Sequence, residues 1–258
     1  MKDLLGDRIK GYYEGRTRIS LPRRTNYIIR IDGKSFHSFA KKCVKPFDSL
    51  LMKAMDQTAI TLCKEIQGAK MAYVQSDEIS ILFTDFDSIK TDCWFDGNIQ
   101  KITSVSASIA TKAFIEFMFS LSSEDRSNFN VKGLPVFDSR VFTIPEPMEV
   151  SNYFIWRQQD ATRNSINMVA QSYFSHKELM GKSTSDVQDM LMLQKEVNWN
   201  NFKSGEKRGR AIVKVEYKGE NDSIRNKWIS LDGVINKETP IFTQERGFIL
   251  DKLQIKEK

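Results

Sequence analysis

Three acidic residues carry the first chemical suggestion in this chain. Asp32 ends the apolar run NYIIRID that begins at Asn26, and Gly33 follows it. Asp77 and Glu78 belong to the polar step SDE between two β-rich runs, MAYVQ at Met71 to Gln75 and ISILF at Ile79 to Phe83. Carboxylates crowded together repel one another and attract hard divalent cations. Two such ions about 3.5–4 Å apart can hold both the attacking and the leaving oxygen of a phosphoryl transfer. The carbonyl of Gly33 is a further candidate ligand, because a residue without Cβ allows close approach. Taken singly, Asp-Gly after a strand and Ser-Asp-Glu between strands are also ordinary turn chemistry. The three cysteines (Cys43, Cys63, Cys93) are odd in number and widely spaced, and the two histidines, His37 and His176, lie far apart. A thiolate or imidazole metal site is therefore not expected, and any metal here is held by carboxylates, as Mg²⁺ or Mn²⁺ would be.

Cations stand near these acids. Lys34, Lys41, Lys42 and Lys45 fall between Asp32 and the start of a helix, and a cationic loop beside a helix N-terminus is an anion site. Lys101 on a second helix can reach the same place. Phe36 and His37 could flank a base, but Phe36 is the better fit to buried packing. Further along, WRQQDATRN (Trp156 to Asn164) offers Arg157, Asp160, Arg163 and Asn164. Arg163, Asn164 and Asn167 share i, i+3 and i+4 spacing. Arg and Asn make paired contacts to phosphates and base edges; a solvated face laced with salt bridges gives the same pattern.

These side chains need a frame. Asn26 to Asp32 reads as a buried strand. Asp48 is placed to cap a helix whose apolar stripe is Leu51, Met55, Ala59, Leu62 and Ile66, closed by Gly68. Met71–Gln75 and Ile79–Phe83 form a hairpin around the three-residue tip. A second helix carries Ile102, Val105, Ile109, Ala113 and Phe117, and a strand follows at Val136 to Ile144. The order β, α, β, β, α, β is the ferredoxin-like split βαβ arrangement of an α+β fold, with both helices on one face of an antiparallel sheet. There the first strand lies beside a hairpin strand, which brings Asp32 to Asp77 and Glu78. Pro145 and Pro147 punctuate the end of this unit. We expect a palm-like core at 1–145 and a mixed α/β C-terminal extension at 146–258. The extension has helices at Met148 to about Ser175 and Ser183 to Lys195, and strands at Arg210–Tyr217 and around Trp228 and Ile229.

Composition bounds the reading. Of 258 residues, 40% are hydrophobic and 28% charged, which suits a globular chain rather than a disordered one. No apolar run reaches the roughly 20 residues of a bilayer span, and the first ten residues read as neither a secretory nor a transit segment. We expect no membrane partner and a cytoplasmic location. A net charge of +6 favours a polyanionic partner.

In order along the chain, RIDGKSFHSF, VKPFD, YVQSDEISILF, FDSRVF, YFIWRQQDATRNSIN, ELMGKST, EVNWNNFK and TPIFTQERGFI resemble the tRNA-histidine guanylyltransferase family, which adds nucleotides in the 3′-to-5′ direction. The resemblance spans about residues 8 to 250. It implies a polymerase-type palm in which Asp32 and Asp77 bridge two Mg²⁺ ions, with the Gly33 carbonyl and Glu78 assisting. It implies nucleotide contacts at Ala40, Lys45, Asp48, Ser76 and Lys101, which join Lys34, Phe36 and His37 of the same loop as candidates. It implies that Arg157, Asp160 and Asn164 lie around the RNA 5′ end and a second nucleotide, with Arg140 and Arg163 as further candidates there. ATP, GTP and other nucleoside triphosphates as substrates, tRNA as partner and a homotetramer are implied as well. Eukaryotic members that add an extra guanosine to histidine tRNA carry His-Ile-Asn-Asn where this chain has Thr162, Arg163, Asn164 and Ser165. This resembles instead the guanylyltransferase-like branch, and points to template-dependent repair of 5′-truncated tRNAs after ATP-dependent 5′ adenylylation. The alternatives are untemplated guanosine addition to histidine tRNA, a nucleotide cyclase on the same palm, and a non-enzymatic RNA-binding module.

Overall fold

The computed structural model describes residues 3–130, 133–218, 223–233 and 237–254. After helix α1 (Leu4–Tyr12), the chain enters strand β1 (Asn26–Gly33), the short helix α2 (Phe36–Phe39), helix α3 (Ser49–Glu65), and the hairpin β2 (Ala69–Gln75) and β3 (Glu78–Thr84). Helices α4 (Ile99–Ser120) and α5 (Ser123–Ser127) lead to β4 (Phe137–Thr143). Then come α6 (Pro147–Gln171), α7 (His176–Leu179), α8 (Thr184–Lys195), α9 (Ser204–Arg208), β5 (Arg210–Lys218), β6 (Ile224–Ser230) and α10 (Gly247–Leu250).

All six strands belong to one sheet, ordered β4-β1-β3-β2-β5-β6. Its first four strands have the expected ferredoxin-like order, and every pairing is antiparallel. The C-terminal strands do not form a sheet of their own: β5 pairs along the β2 edge and β6 along β5.

The run YIIRID needs cover on both faces. Tyr27, Ile29 and Ile31 face a core shared with α3 and α4, while Ile28 faces a second core with Met71, Tyr73, Leu82 and the α6 residues Val150, Tyr153 and Phe154. Burying each such side chain contributes about 1.5–3 kcal/mol. Because β1 is flanked by β3 and β4, its end residue Asp32 stands opposite Glu78 on one side and Asp138 on the other.

Local chemistry sets the element ends. Asp48 caps α3, accepting from the backbone N–H of Leu50 and Leu51 at 3.0 Å each and of Val44 at 2.9 Å. Gly68 closes that helix at φ +78°, where a Cβ would lie 2.0 Å from the Thr84 carbonyl oxygen. The hairpin tip is shorter than expected. Gln75 pairs with Glu78, so only Ser76 and Asp77 turn the chain, with Ser76 at φ +48°. A tight turn with a positive φ matches the right-handed strand twist, which draws Glu78 into β3.

Helix α4 is the one among the described residues long and apolar enough to cross a membrane, with a hydropathy of 1.2. Its apolar residues are spent on the palm: Ile102, Ala110, Phe114 and Met118 are buried in the first core. The Phe114 ring is wholly buried between Phe36, Phe39 and Phe137, at centroid distances of 5.8, 5.6 and 5.5 Å. Phe114→Ala is expected to cost about 3–5 kcal/mol, read in urea unfolding as a lower midpoint with an unchanged slope. A loss below about 1 kcal/mol would mean that this aromatic cluster does not anchor the palm.

Candidate active site

The end of β1, the β2–β3 tip and the middle of α6 enclose an open cleft of about 860 Å³. Asp32, Ser76, Asp77 and Glu78 line one side, and Arg157, Asp160, Asn164 and Asn167 line the other. Burial raises the Asp32 carboxyl above its ordinary range, and the charges of Asp77, Glu78 and Asp138 raise it further. Burial likewise raises Asp77, with Glu78 adding to it, against hydrogen bonds from Ser76 and its own backbone. Neither aspartate has a basic ion-pair partner among the described residues.

Glu78 is differently placed. Both its oxygens accept from Arg157, at 2.8 Å to Nε and 2.8 Å to Nη2. Gln75 and Ser80 donate to it as well, at 3.2 and 3.4 Å. Arg157 is itself buried, lies 4.3 Å from the Trp156 ring centroid, and reaches Asp160 at 3.0 Å. Asp160 then collects Arg163 at 3.1 Å and Asn164 at 3.3 Å. Glu78 lies beside the two aspartates as expected and is also the anchor that ties α6 to the sheet.

The donor set bears on a metal. Among the described residues no group of three or more His, Cys, Asp or Glu side chains is arranged to hold one. Two carboxylates that repel each other remain, and this fits Mg²⁺, which is commonly held by one or two carboxylates plus waters and substrate phosphates. Gly33 contributes by its size. A Cβ there would lie 2.4 Å from the Phe36 ring and 3.2 Å from the Asp77 Cβ, so glycine lets β1 and the hairpin tip close on each other.

Next to the cleft, and sharing Gln75, Ser76, Asn164 and Met168 with it, is a pocket of about 600 Å³. Phe47, Leu51, Met52 and Ala161 give it apolar walls, and Gly205, Glu206, Gly209 and Arg210 close it. Gly209 is required there: at φ +72°, a Cβ would lie 2.4 Å from the Tyr73 hydroxyl oxygen. Arg210 is fixed by Asp56 at 2.6 Å.

The remaining candidates separate. Ser76 lines both cavities and Asp48 lines the pocket, but the Asp48 carboxylate is committed to three backbone N–H groups. Phe36 is buried among aromatic rings, so its ring has no face to offer a base. Lys34, His37, Ala40, Lys45 and Lys101 line neither cavity; His37 contacts the Ser38 hydroxyl, and Lys45 donates to the Ala40 carbonyl. Arg140 pairs with Asp138 at 3.0 Å beside β1. Arg163 parts from Asn164 and Asn167 and lines another cleft across α6. Reading the sequence missed the wall at 205–210, whose only local sign is the glycine-punctuated, basic stretch SGEKRGR.

Two outcomes follow. Arg157→Leu leaves Glu78 half-buried and unpaired, at an expected cost of about 3–5 kcal/mol in urea unfolding; a loss within error means the pair holds nothing. The folded protein also binds the Asp77 proton more tightly than the unfolded chain does. Stability is therefore lost as pH rises from the ordinary carboxylate range through the raised value, and regained as pH falls. In EDTA at neutral pH, Asp77→Asn should melt above the parent, with the gap closing in acid. A lower melting temperature at pH 7 contradicts the crowding.

Residues 6–145 match the family model described as tRNAHis guanylyltransferase. A solved bacterial tRNA(His) guanylyltransferase-like protein in complex with ATP is 44% identical, with a TM-score of 0.85 over 97% of this chain and 99% of that one. A GTP complex of such a bacterial protein gives 42% identity and a TM-score of 0.80 over the same shares. The curated tRNA(His) guanylyltransferase of Debaryomyces hansenii is 28% identical over 214 residues, 78% of each chain. With the family model covering more than half of the residues and a palm-type sheet carrying the site, this chain belongs to the tRNAHis guanylyltransferase family of nucleotidyltransferases.

Proposed function

We propose that this enzyme adds nucleotides in the 3′-to-5′ direction to the 5′ end of tRNA, restoring truncated ends against the opposite strand. The observation that carries the reading is the shared wall between two cavities: a pocket with apolar walls at Phe47, Leu51 and Met52 opens onto the cleft of two aspartates that have no basic partner among the described residues. A purine seated against Phe47, Leu51 and Met52 directs its triphosphate past Ser76 toward Asp32 and Asp77. The solved relatives bound to ATP and GTP support nucleoside triphosphates as substrates.

Asp32 and Asp77, with the Gly33 carbonyl, would hold two Mg²⁺ ions. Bound there, Mg²⁺ supplies charge to the triphosphate and acidifies the attacking 3′-hydroxyl. The chain's own contribution is position, as expected for phosphoryl transfer. Arg157 neutralises Glu78 and so keeps a third free negative charge out of the cleft. Asn164 and Asn167, facing the aspartates from α6, offer hydrogen bonds to the RNA 5′ end. In this division the catalytic core is residues 1–145, and residues 146–258 receive the RNA. ATP-dependent adenylylation of a 5′-monophosphate precedes the addition, and the working form is a homotetramer, as the family resemblance implies.

Templated repair is favoured over untemplated guanosine addition by the 162–165 positions. Thr162 donates to the Gln158 carbonyl at 2.9 Å, and Ser165 is buried against the Lys207 carbonyl and the Trp199 indole N–H, at 2.9 and 3.1 Å. Both hydroxyls are thus engaged in hydrogen bonds within the protein. The identity to the bacterial guanylyltransferase-like proteins also exceeds the 28% to the Debaryomyces enzyme.

The test is incubation with Mg²⁺, ATP and all four nucleotides on two tRNAs, one lacking its first 5′ nucleotide and one full-length histidine tRNA. Restoration of the complementary nucleotide on the truncated tRNA is expected, with loss of product in EDTA and in a folded Asp77→Ala variant. Guanosine added only to histidine tRNA would establish the maturation reading instead. A cyclic nucleotide formed without RNA would establish the cyclase.

A further inference from the structure

Helix α6 separates two clefts of opposite charge. On one flank stand Asp32, Asp77, Glu78 and Asp160, with Arg157 among them. On the other flank an open cleft of about 670 Å³ receives Gln159, Thr162 and Arg163 from α6, Arg208 from the end of α9, and Ile241 and Thr243 from the segment before α10. Among the described residues no carboxylate lines this second cleft. Asp160 and Arg163 pair at 3.1 Å over the crest of the helix, each lining its own side.

The walls of the basic cleft are fixed. Gln158, buried in α6, donates to the Pro240 carbonyl at 2.9 Å and accepts from the Phe242 N–H at 2.8 Å, which staples the 240–242 segment to the helix. The Arg208 guanidinium lies 5.4 Å from the Trp199 ring centroid, and the Trp199 indole N–H is itself held by Ser165. A ring contact of this kind positions a guanidinium without using its N–H donors. Among the described residues Arg208 has no carboxylate partner. Arg163 uses a single Nη2 bond, to Asp160, and the rest of its fork makes no hydrogen bond among the described residues.

We propose that this second cleft binds a backbone phosphate of the RNA substrate, a few nucleotides in from the 5′ end that lies over Asp32 and Asp77. The inference rests on the reading of the enzyme as one that acts on RNA. Two guanidinium groups in a cleft free of carboxylates match a phosphate, which Arg recognises with paired N–H donors. The acidic cleft repels RNA phosphates wherever metal ions do not screen it. A strand leaving that cleft over α6 meets its first compensating charges at Arg163 and Arg208. Crossing a helix about 10 Å wide is within reach of a few nucleotides. The same chemistry would accept the triphosphate of a free nucleotide, and the experiment separates the two sources.

Binding of tRNA is measured by fluorescence anisotropy over a series of salt concentrations, and binding of Mg²⁺–ATP by calorimetry. The proteins are the parent, Arg208→Gln, Arg208→Lys and Thr243→Glu, which puts a negative charge into the cleft at an exposed position. Arg208→Gln is expected to weaken tRNA binding roughly three- to tenfold near 0.1 M salt and to make the logarithmic salt slope shallower by about 1. Its ATP affinity should equal the parent's. Arg208→Lys should retain most of the binding, and Thr243→Glu should weaken it without lowering the melting temperature. Parent-like tRNA binding by both Arg208→Gln and Thr243→Glu overturns the proposal. Weakened ATP binding with unchanged tRNA binding overturns it too, by assigning the phosphate to the nucleotide. Failure of the parent itself to bind tRNA overturns the RNA reading on which the inference stands.

Discussion

Negative charges at the end of a buried strand are hard to keep, and this palm is organised around keeping two of them. Antiparallel pairing on both sides of β1 sets Asp32 level with Glu78 and Asp138, and the tight Ser76–Asp77 turn adds Asp77. Left alone, so many carboxylates would hold protons rather than bind a metal. Arg157 changes the balance by taking Glu78 in a two-point ion pair from α6, which packs on the face of the sheet away from α3 and α4. What remains is a pair of aspartates whose mutual repulsion an incoming cation relieves. In the metal-bound form proposed above, relief of that repulsion would contribute to the affinity for the cation.

The same ion pair explains why α6 lines the cleft although it comes from the second half of the chain. Its apolar residues Val150, Tyr153 and Phe154 fill the second core under Ile28 and Leu82, and this fixes its depth. Arg157 and the Ser80–Tyr153 hydroxyl contact at 2.8 Å fix its rotation. With depth and rotation set, Asn164 and Asn167 face the aspartates, while Thr162 and Arg163 face away. β5, pairing on β2, then carries Gly209 and Arg210 to the pocket beside the cleft. A helix and a strand from residues beyond 145 therefore wall a site whose two free acids come from residues before it.

Much of this was legible in the sequence, and the legible parts are local. The run NYIIRID, the Asp48 cap, the α3 and α4 stripes and the hairpin each follow from a few neighbouring residues, and the ferredoxin-like order follows from their succession. Asp32 and Asp77 met because that order puts β1 beside β3. The details that the sequence does not show are non-local. Glu78 lines the cleft with the aspartates, but nothing near it in sequence announces its ion pair with Arg157, 79 residues away. Arg163 was grouped with Asn164 and Asn167 by helical spacing, but spacing alone does not say which residues of a buried helix face which neighbour. Phe36 is expected to pack in the core, and Phe39, Phe114 and Phe137 close around it there. The pocket wall at 205–210 requires the pairing of β5 with β2, which no short motif encodes.

Crystals grown with Mn²⁺ and a non-hydrolysable ATP analogue, with the anomalous signal of manganese placing the ions, decide whether Asp32 and Asp77, and not Glu78, hold the metal that meets the nucleotide. Manganese bound by both aspartates is expected, with the Glu78–Arg157 ion pair intact beside it. Manganese bound through Glu78 or Asp160 with the arginine displaced, or nucleotide seated in the pocket with no manganese between Asp32 and Asp77, would contradict this assignment.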